Sequence, residues 1–235
     1  MASHGKKRHT KRLAAPKVLP LPRKGTMWIK SNMPGPHGQV DSIPLLLLLR
    51  DVLKVCINAR EAKKLLRNGQ VSVDGRVVRD IGLPVGLMDL VSLKGHANFI
   101  IVINKGGKIS AVKTDQAGHK LCKITSKRVI SGGKIQLTMH DGRNIIVPNG
   151  KLYSSGDTLK ISLPKAEIKE HLKLEKGSRC YVFRGRHSGA IGALLDIHVF
   201  PGVTPSNAKI LDEGKNEEVV TLKGYVFVVD KNFKV

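Results

Sequence analysis

IPLLLLLRDVLKVCINAREAKKLLRNGQVSVDGRVVRD, residues Ile43–Asp80, carries three local signals that decide the fold. It opens on an apolar, Leu-rich run that predicts a buried helix. A short basic segment follows. Asn58 stands where an N-cap is needed and Glu61 three residues on, which is the spacing of a capping box. Gly69 marks the stop. Between these signals, Arg60, Lys63, Lys64 and Arg67 recur at helical spacing on one face, and Ala62, Leu65 and Leu66 on the other. The third signal is Val71-Ser72-Val73, Asp74-Gly75, Arg76-Val77-Val78-Arg79. Asp-Gly between alternating residues predicts a hairpin, because both turn residues need positive φ. Two helices leaning on a hairpin, with cations on the second helix and at the hairpin tip, suit RNA phosphates gripped by charge and shape. The plainer reading is a small αβ core with an ordinary solvated basic helix. It is weakened by how few acidic residues dilute the stripe.

Working outward, the chain has 235 residues, 41 Lys and Arg against 18 Asp and Glu, and a net charge of +23. Self-repulsion on that scale opposes compaction unless a polyanion neutralises it, so nucleic acid is the first partner to expect and an anionic membrane surface the second. Aromatic residues make up only 4%. That argues against stacking platforms for single strands and favours structured RNA held by its backbone. Cys56, Cys122 and Cys180 are odd in number and far apart, with no CxxC pair. They read as small core hydrophobes in a reducing, intracellular setting. The basic N-terminus lacks the apolar core of a signal peptide. Leu45 to Leu49 is far too short to span a bilayer.

Before the first acidic residue, Asp41, come Lys6, Lys7, Arg8, Lys11, Arg12, Lys17, Arg23, Lys24 and Lys30, interrupted by five prolines. Residues 1–41 therefore predict a basic extension with little structure in isolation. Trp28, Leu19 and Leu21 argue that part of it docks. Residues 42–106 form the first folded unit. Here Pro84 and Gly86 mark a turn, Leu87 to Leu93 and Asn98 to Ile103 read as strands, and Asn104-Lys105-Gly106-Gly107 is a turn. Residues 107–172 show short strands (Leu121 to Ile130, Ile135 to Met139, Asn144 to Val147, Thr158 to Leu163) separated by turns at Gly132-Gly133 and Asp141-Gly142. A short helix or linker is expected from Ala166 to Leu174. Residues 173–235 hold Ser178 to Phe183, a basic loop Arg184-Gly185-Arg186-His187-Ser188-Gly189, Ala190 to Ile197, and two strands around Lys223-Gly224. The expected fold class is α+β, mainly β: a small helix-turn-helix and hairpin domain, then two small β-barrel-like domains.

Three features in this order resemble one family. Ile43–Asp80 resembles the alpha-L RNA-binding motif, also found in some pseudouridine synthases and in a tyrosyl-tRNA synthetase tail. Gly177 to Leu194 resembles a KOW motif, a glycine-centred strand-loop-strand. With HGKKRHTKRLAAP at the start, Gly35-Pro36-His37, Val73 to Leu93 and KLCKI at Lys120 to Ile124, nearly the whole chain resembles the archaeal and eukaryotic type of small-subunit ribosomal protein four. The resemblance implies a ribosomal RNA-binding component of the small ribosomal subunit, cytoplasmic and not an enzyme. It also implies an SH3-like KOW barrel as the last domain. The chain ends soon after that barrel, which favours the archaeal type.

Catalytic patterns are missing from the sequence. No HExxH, paired carboxylates or GxxxxGK[ST] occurs, the two Asp-Gly pairs are turns rather than calcium loops, and His187-Ser188 has no nucleophile elbow around it. Lys223 to Val228 only partly matches an RRM strand and reads better as core. No catalytic residue, metal site or cofactor is expected, nor a membrane or small-molecule partner. The expected RNA contacts are Lys6, Lys7, Arg8, Lys11 and Arg12 in the arm. Arg50 and Lys54 add to them from the first helix, Arg60, Lys63, Lys64 and Arg67 from the second, Arg76 and Arg79 from the hairpin, and Arg184, Arg186 and His187 from the late loop. Ribosomal RNA and neighbouring ribosomal proteins are the expected partners. Two rivals are an RNA-modifying enzyme that borrows the alpha-L domain and a transcription or translation factor that uses the KOW module. The first lacks room for a catalytic domain, and the second leaves the basic arm unexplained.

Overall fold

A computed structural model describes residues 9–95, 97–114, 118–148, 150–202, 204–214, 217–231 and 233. They fall into two compact units, one drawn from 1–102 and 108–117, the other from 103–107 and 118–235.

In the first unit, β1 (His9–Lys11) pairs antiparallel with β2 (Trp28–Lys30), with a 3-10 turn at Arg12–Ala14 between them. Leu19 and Ile29 are buried, so the extension is docked, while Trp28 remains half exposed. β3 (Ser42–Pro44) leads into α1 (Leu45–Leu47), which continues as a π-helical turn at Leu48–Val52. Leu45, Leu47, Leu48 and Leu49 are completely buried, so the Leu-rich run is apolar on all sides because it is enclosed on all sides. α2 (Ala59–Arg67) follows.

β4 (Val71–Val73) and β5 (Arg76–Val77) form the hairpin. Its turn residues Asp74 and Gly75 have φ of 51° and 76°, the geometry that the Asp-Gly pair predicts. β6 (Pro84–Gly86) pairs with β3. β7 (Leu90–Leu93), β8 (Asn98–Ile103) and β9 (Ile109–Thr114) complete a sheet of order β5-β4-β7-β8-β9. The expectation of a turn at Pro84 and Gly86 is corrected here. Pro84 sits opposite Pro44 in a two-stranded ladder, where a missing N–H is tolerated. The turn comes at Leu87 to Asp89 instead, with Met88 at φ 63° and the Asp89 carboxylate accepting the Gly86 N–H at 2.8 Å.

The second unit contains two antiparallel five-stranded sheets. β10 (His119–Val129), β11 (Ile135–Met139), β12 (Asn144–Val147), β13 (Thr158–Ser162) and β14 (Ile168–Leu172) are ordered β12-β11-β10-β13-β14. The long β10 pairs with β13 through its first half and with β11 through its second, on either side of a bulge near Ile124. Cys122, Ile124, Leu137, Met139, Leu159 and Ile161 form the core under this sheet.

β14 lies where a helix or linker is expected. Its sequence, IKEHL, is too polar to announce a strand. Pairing decides it: Ile168 lies opposite Ile161, and Glu170 opposite Lys160 with 3.4 Å between Oε2 and Nζ. The other sheet comprises β15 (Arg179–Val182), β16 (Ile191–His198), β17 (Asn207–Asp212), β18 (Glu218–Leu222) and β19 (Val226–Val228), ordered β18-β17-β16-β15-β19. Cys180, Val182, Leu194, Ile210, Val226 and Val228 form its core. The protein is thus mainly β, with two short helices, α1 and α2, among the described residues. Among the described residues, no helix is long and apolar enough to cross a membrane.

Candidate nucleic-acid interface

α2 begins as its sequence dictates. The Asn58 side-chain oxygen accepts the N–H groups of Arg60 at 2.9 Å and Glu61 at 3.0 Å. Glu61 reaches back to the N–H of Ile57 at 2.8 Å, one residue before the cap rather than the cap itself. Asn58 thus satisfies two donors that the first turn leaves unpaired, and Glu61 ties that turn to the residue ahead of the cap. Ala62 and Leu66 are completely buried, and Arg60, Lys63, Lys64 and Arg67 are exposed. Lys64 and Arg67 also sit in the last turn, where the helix dipole favours cations.

Of the nearby acids only Asp74 is buried, and Glu61 and Asp80 are exposed. Glu61 caps the helix, Asp74 is buried and accepts the Leu90 N–H at 3.0 Å, and Asp80 accepts the Gly82 N–H at 2.8 Å. Each of the three accepts a main-chain N–H, and the exposed pair is outnumbered by the exposed cations around it. Arg76 and Arg79 are exposed on the hairpin side, so the outward potential of α2 and the hairpin is positive.

The other expected contacts divide. Arg12 is turned onto its own chain: Nε donates to the Thr26 carbonyl at 2.8 Å, Nη1 to that of Pro22 at 2.9 Å, and Nη2 to the Thr26 hydroxyl at 2.9 Å. It closes the loop of the extension. Arg50 makes a two-pronged pair with its neighbour Asp51, both bonds at 2.9 Å. Lys54 is exposed, in a left-handed conformation. These three cations meet in one open cleft of about 440 Å³, with Thr26, Asp51, Cys56 and Ile57. Burial pushes the Cys56 thiol above its ordinary value, in keeping with a core residue. Lys11 lies 5.9 Å from the Trp28 ring centre, and His9 meets the same ring edge-on at 4.7 Å. That cluster is not readable from the sequence, because the partners come from different strands. Lys6, Lys7 and Arg8 lie outside the described residues.

In the second unit, Arg184, Arg186 and His187 are exposed on one loop between β15 and β16. Gly189 closes that loop with φ of 84°, its N–H donating to Val182 at 2.7 Å. A side chain there would meet the Lys105 main chain at 2.4 Å, so only glycine fits. Exposed Lys127, Arg128 and Lys134 add cations on the other sheet that the motif-based reading passes over.

One group has the composition of a metal site: Cys122, His140 and Asp141 place their ligand atoms within 4.8 Å. Its charge is already balanced. Lys120 Nζ lies 2.9 Å and Arg143 Nε 3.1 Å from Asp141, and the His140 Nδ1 accepts the Lys123 N–H at 3.2 Å. Burial would raise the Asp141 pKa, but the Lys120 charge, helped by His140 and Arg143, holds it below the usual carboxylate value. Two cations already neutralise the donor set, so it does not suit a metal ion.

The chain is similar to known proteins along most of its length. Residues 96–168 match the Ribosomal family S4e, 46–91 the S4 domain, and 4–39 the RS4NT (NUC023) domain. The chain is 43% identical to small ribosomal subunit protein eS4 of Methanocaldococcus jannaschii over 240 residues, covering 97% of this chain and 96% of that protein. It is 38% identical to eS4 of Methanothermobacter thermautotrophicus, covering 100% and 97%. The crystal structure of 30S ribosomal protein S4e from Thermoplasma acidophilum superposes with a TM-score of 0.70 at 32% identity, covering 82% of this chain and 96% of that one. Similarity at this level over nearly the whole length of both chains shows that the chain belongs to the S4e family of ribosomal proteins.

Proposed function

We propose that the chain is a structural component of the small ribosomal subunit, holding ribosomal RNA through basic surfaces and performing no catalysis. The observation that carries this is the excess of exposed cations around α2. Arg60, Lys63, Lys64, Arg67, Arg76 and Arg79 are exposed, against the exposed Glu61 and Asp80, each of which is engaged by a main-chain N–H, and Asp74 is buried. Such a surface is built to meet phosphates.

The work divides along the chain as 1–41, 42–106, 107–172 and 173–235. Lys6, Lys7, Arg8 and Lys11 thread the extension along RNA. Residues 42–106 are the middle grip. Arg184, Arg186 and His187 grip again from a KOW-type barrel, a reading supported by the strand-loop-strand of β15 and β16. Arg12 acts mainly by holding the extension in shape, and Arg50 works through the cleft it shares with Lys54. Neighbouring ribosomal proteins are the remaining partners, and the cytoplasm is the compartment.

The test is assembly. Small subunits are reconstituted with the wild type or with Arg60, Lys63, Lys64 and Arg67 all replaced by Ala. The wild type is expected to sediment with the subunit and the variant to be depleted from it. Equal incorporation overturns the assignment of α2. Wild type that sediments with RNA polymerase instead, or that converts uridine to pseudouridine, overturns the structural role.

A further inference from the structure

Lys123, on β10, is only 7% exposed, and among the described residues no carboxylate pairs with it. A buried ammonium is costly unless its hydrogen bonds are met. Here all three go to main-chain carbonyls: Lys223 at 3.4 Å, Gly224 at 2.8 Å and Val226 at 2.7 Å. These belong to the 3-10 turn Lys223–Tyr225 and to the start of β19. The amine also lies 5.6 Å from the Phe183 ring centre, where a cation is favoured.

The turn held by Lys123 carries Tyr225. The Tyr225 carbonyl accepts the Phe183 N–H at 3.1 Å, and its ring meets that of Phe183 edge-on, with centres 6.4 Å apart. The guanidinium of Arg184, the first residue of the basic loop, lies 5.8 Å from the Tyr225 ring centre. The next residue, Gly185, passes so close that an added Cβ would touch the ring at 3.4 Å. A continuous series of contacts therefore runs from a buried amine to an exposed arginine.

We propose that Lys123 is a positioning residue for RNA binding: it draws the carbonyls of residues 223–226 to one point, fixes Tyr225, and so presents Arg184 to a phosphate already ordered. A methionine could fill the same space, but it could not converge three acceptors. Arginine loses side-chain freedom when it binds, and ordering it beforehand on an aromatic ring removes part of that loss. The proposal rests on the reading that the 184–187 loop grips RNA.

The experiment measures Kd of the full-length protein for an in vitro transcript of Methanocaldococcus jannaschii small-subunit ribosomal RNA at one salt concentration. The variants are Arg184→Ala, Lys123→Met, Tyr225→Leu, and each of the last two combined with Arg184→Ala. Circular dichroism verifies the fold of each. Arg184→Ala is expected to weaken binding roughly tenfold, as for loss of one charge-assisted hydrogen bond. Lys123→Met and Tyr225→Leu are each expected to weaken it about threefold or more, and neither should add to Arg184→Ala. Unchanged Kd in Lys123→Met, or effects that multiply in the double variants, overturns the positioning role while leaving the loop as a contact. No effect of Arg184→Ala overturns the loop contact itself, and the positioning role with it. Should Lys123→Met fail to fold, Tyr225→Leu with Arg184→Ala decides, since it leaves the Lys123 hydrogen bonds in place and multiplying effects there also overturn the proposal.

Discussion

His37→Ala is expected to loosen the basic extension from the first unit. The His37 Nε2 lies 2.9 Å from the Asp89 carboxylate, with the two side chains 5% and 1% exposed. The other Asp89 oxygen accepts the Gly86 N–H at 2.8 Å, and the imidazole packs so tightly on Gly86 that an added Cβ would meet it at 2.4 Å. A hydrogen bond to a charged group contributes about 1.5–3 kcal/mol, and leaving a buried charged acceptor without its donor costs at least the upper end of that range. The expected loss is therefore about 3 kcal/mol, a large fraction of the ~5–15 kcal/mol that holds a domain folded. Trp28 is the single tryptophan and lies in the docked extension, so its fluorescence reports this unit during a urea titration. With a urea slope of ~2 kcal/mol per molar, the midpoint should fall by about 1.5 M. His37→Gln, which keeps an N–H donor at similar reach, should lose less. A change within about 0.5 kcal/mol for His37→Ala, the range of an ordinary surface substitution, would refute the argument that this pair fastens the extension.

Three further outcomes are expected. Asn58→Ala removes the acceptor for two helix N–H groups and should lower stability by about 1 kcal/mol in the same titration. Burial, reinforced by the Lys223 charge, pushes the Lys123 amine down to about 8 from 10.5. Between those values the unfolded chain holds a proton that the folded chain has released, so stability should rise with pH from about 8 to about 10.5. The rise is up to about 3 kcal/mol, and Lys123→Met should abolish it. Asp141 is displaced in the opposite sense to a buried acid without partners: the Lys120 and Arg143 charges outweigh burial and hold it low. Its contribution is complete above the ordinary carboxylate value and is lost as pH falls below it, so Asp141→Asn should flatten the acid limb of the stability profile.

The features legible in the sequence are those set by neighbours in the chain. The Asn58 cap, the Gly69 stop, the Asp74-Gly75 turn and the inward Ala62 and Leu66 need only a few residues to specify them, and the structure places each as read. The strands from Ile135 to Val147 were legible for the same reason, through their alternation and glycine turns. Long-range partners were not legible. β14 depends on β13 for its strand form, and the His37–Asp89 pair spans 52 residues. Lys123 reads as one more surface cation until residues 223–226 fold over it. Local pattern likewise marks Arg12 and Arg50 as cations, but not that Thr26, Pro22 and Asp51 already engage them. Charge counts point to a polyanionic partner, while the division of cations into exposed and engaged ones requires the fold.

The central claim, that α2 presents phosphate-binding cations, is tested most directly by the salt dependence of ribosomal RNA affinity. For the wild type and for the variant with Arg60, Lys63, Lys64 and Arg67 all replaced by Ala, log K is plotted against log salt concentration. Each phosphate neutralised contributes a slope of roughly −0.7 to −0.9, so loss of four contacts should make the slope shallower by about 3, with weaker binding at low salt. An unchanged slope with unchanged affinity would contradict the account.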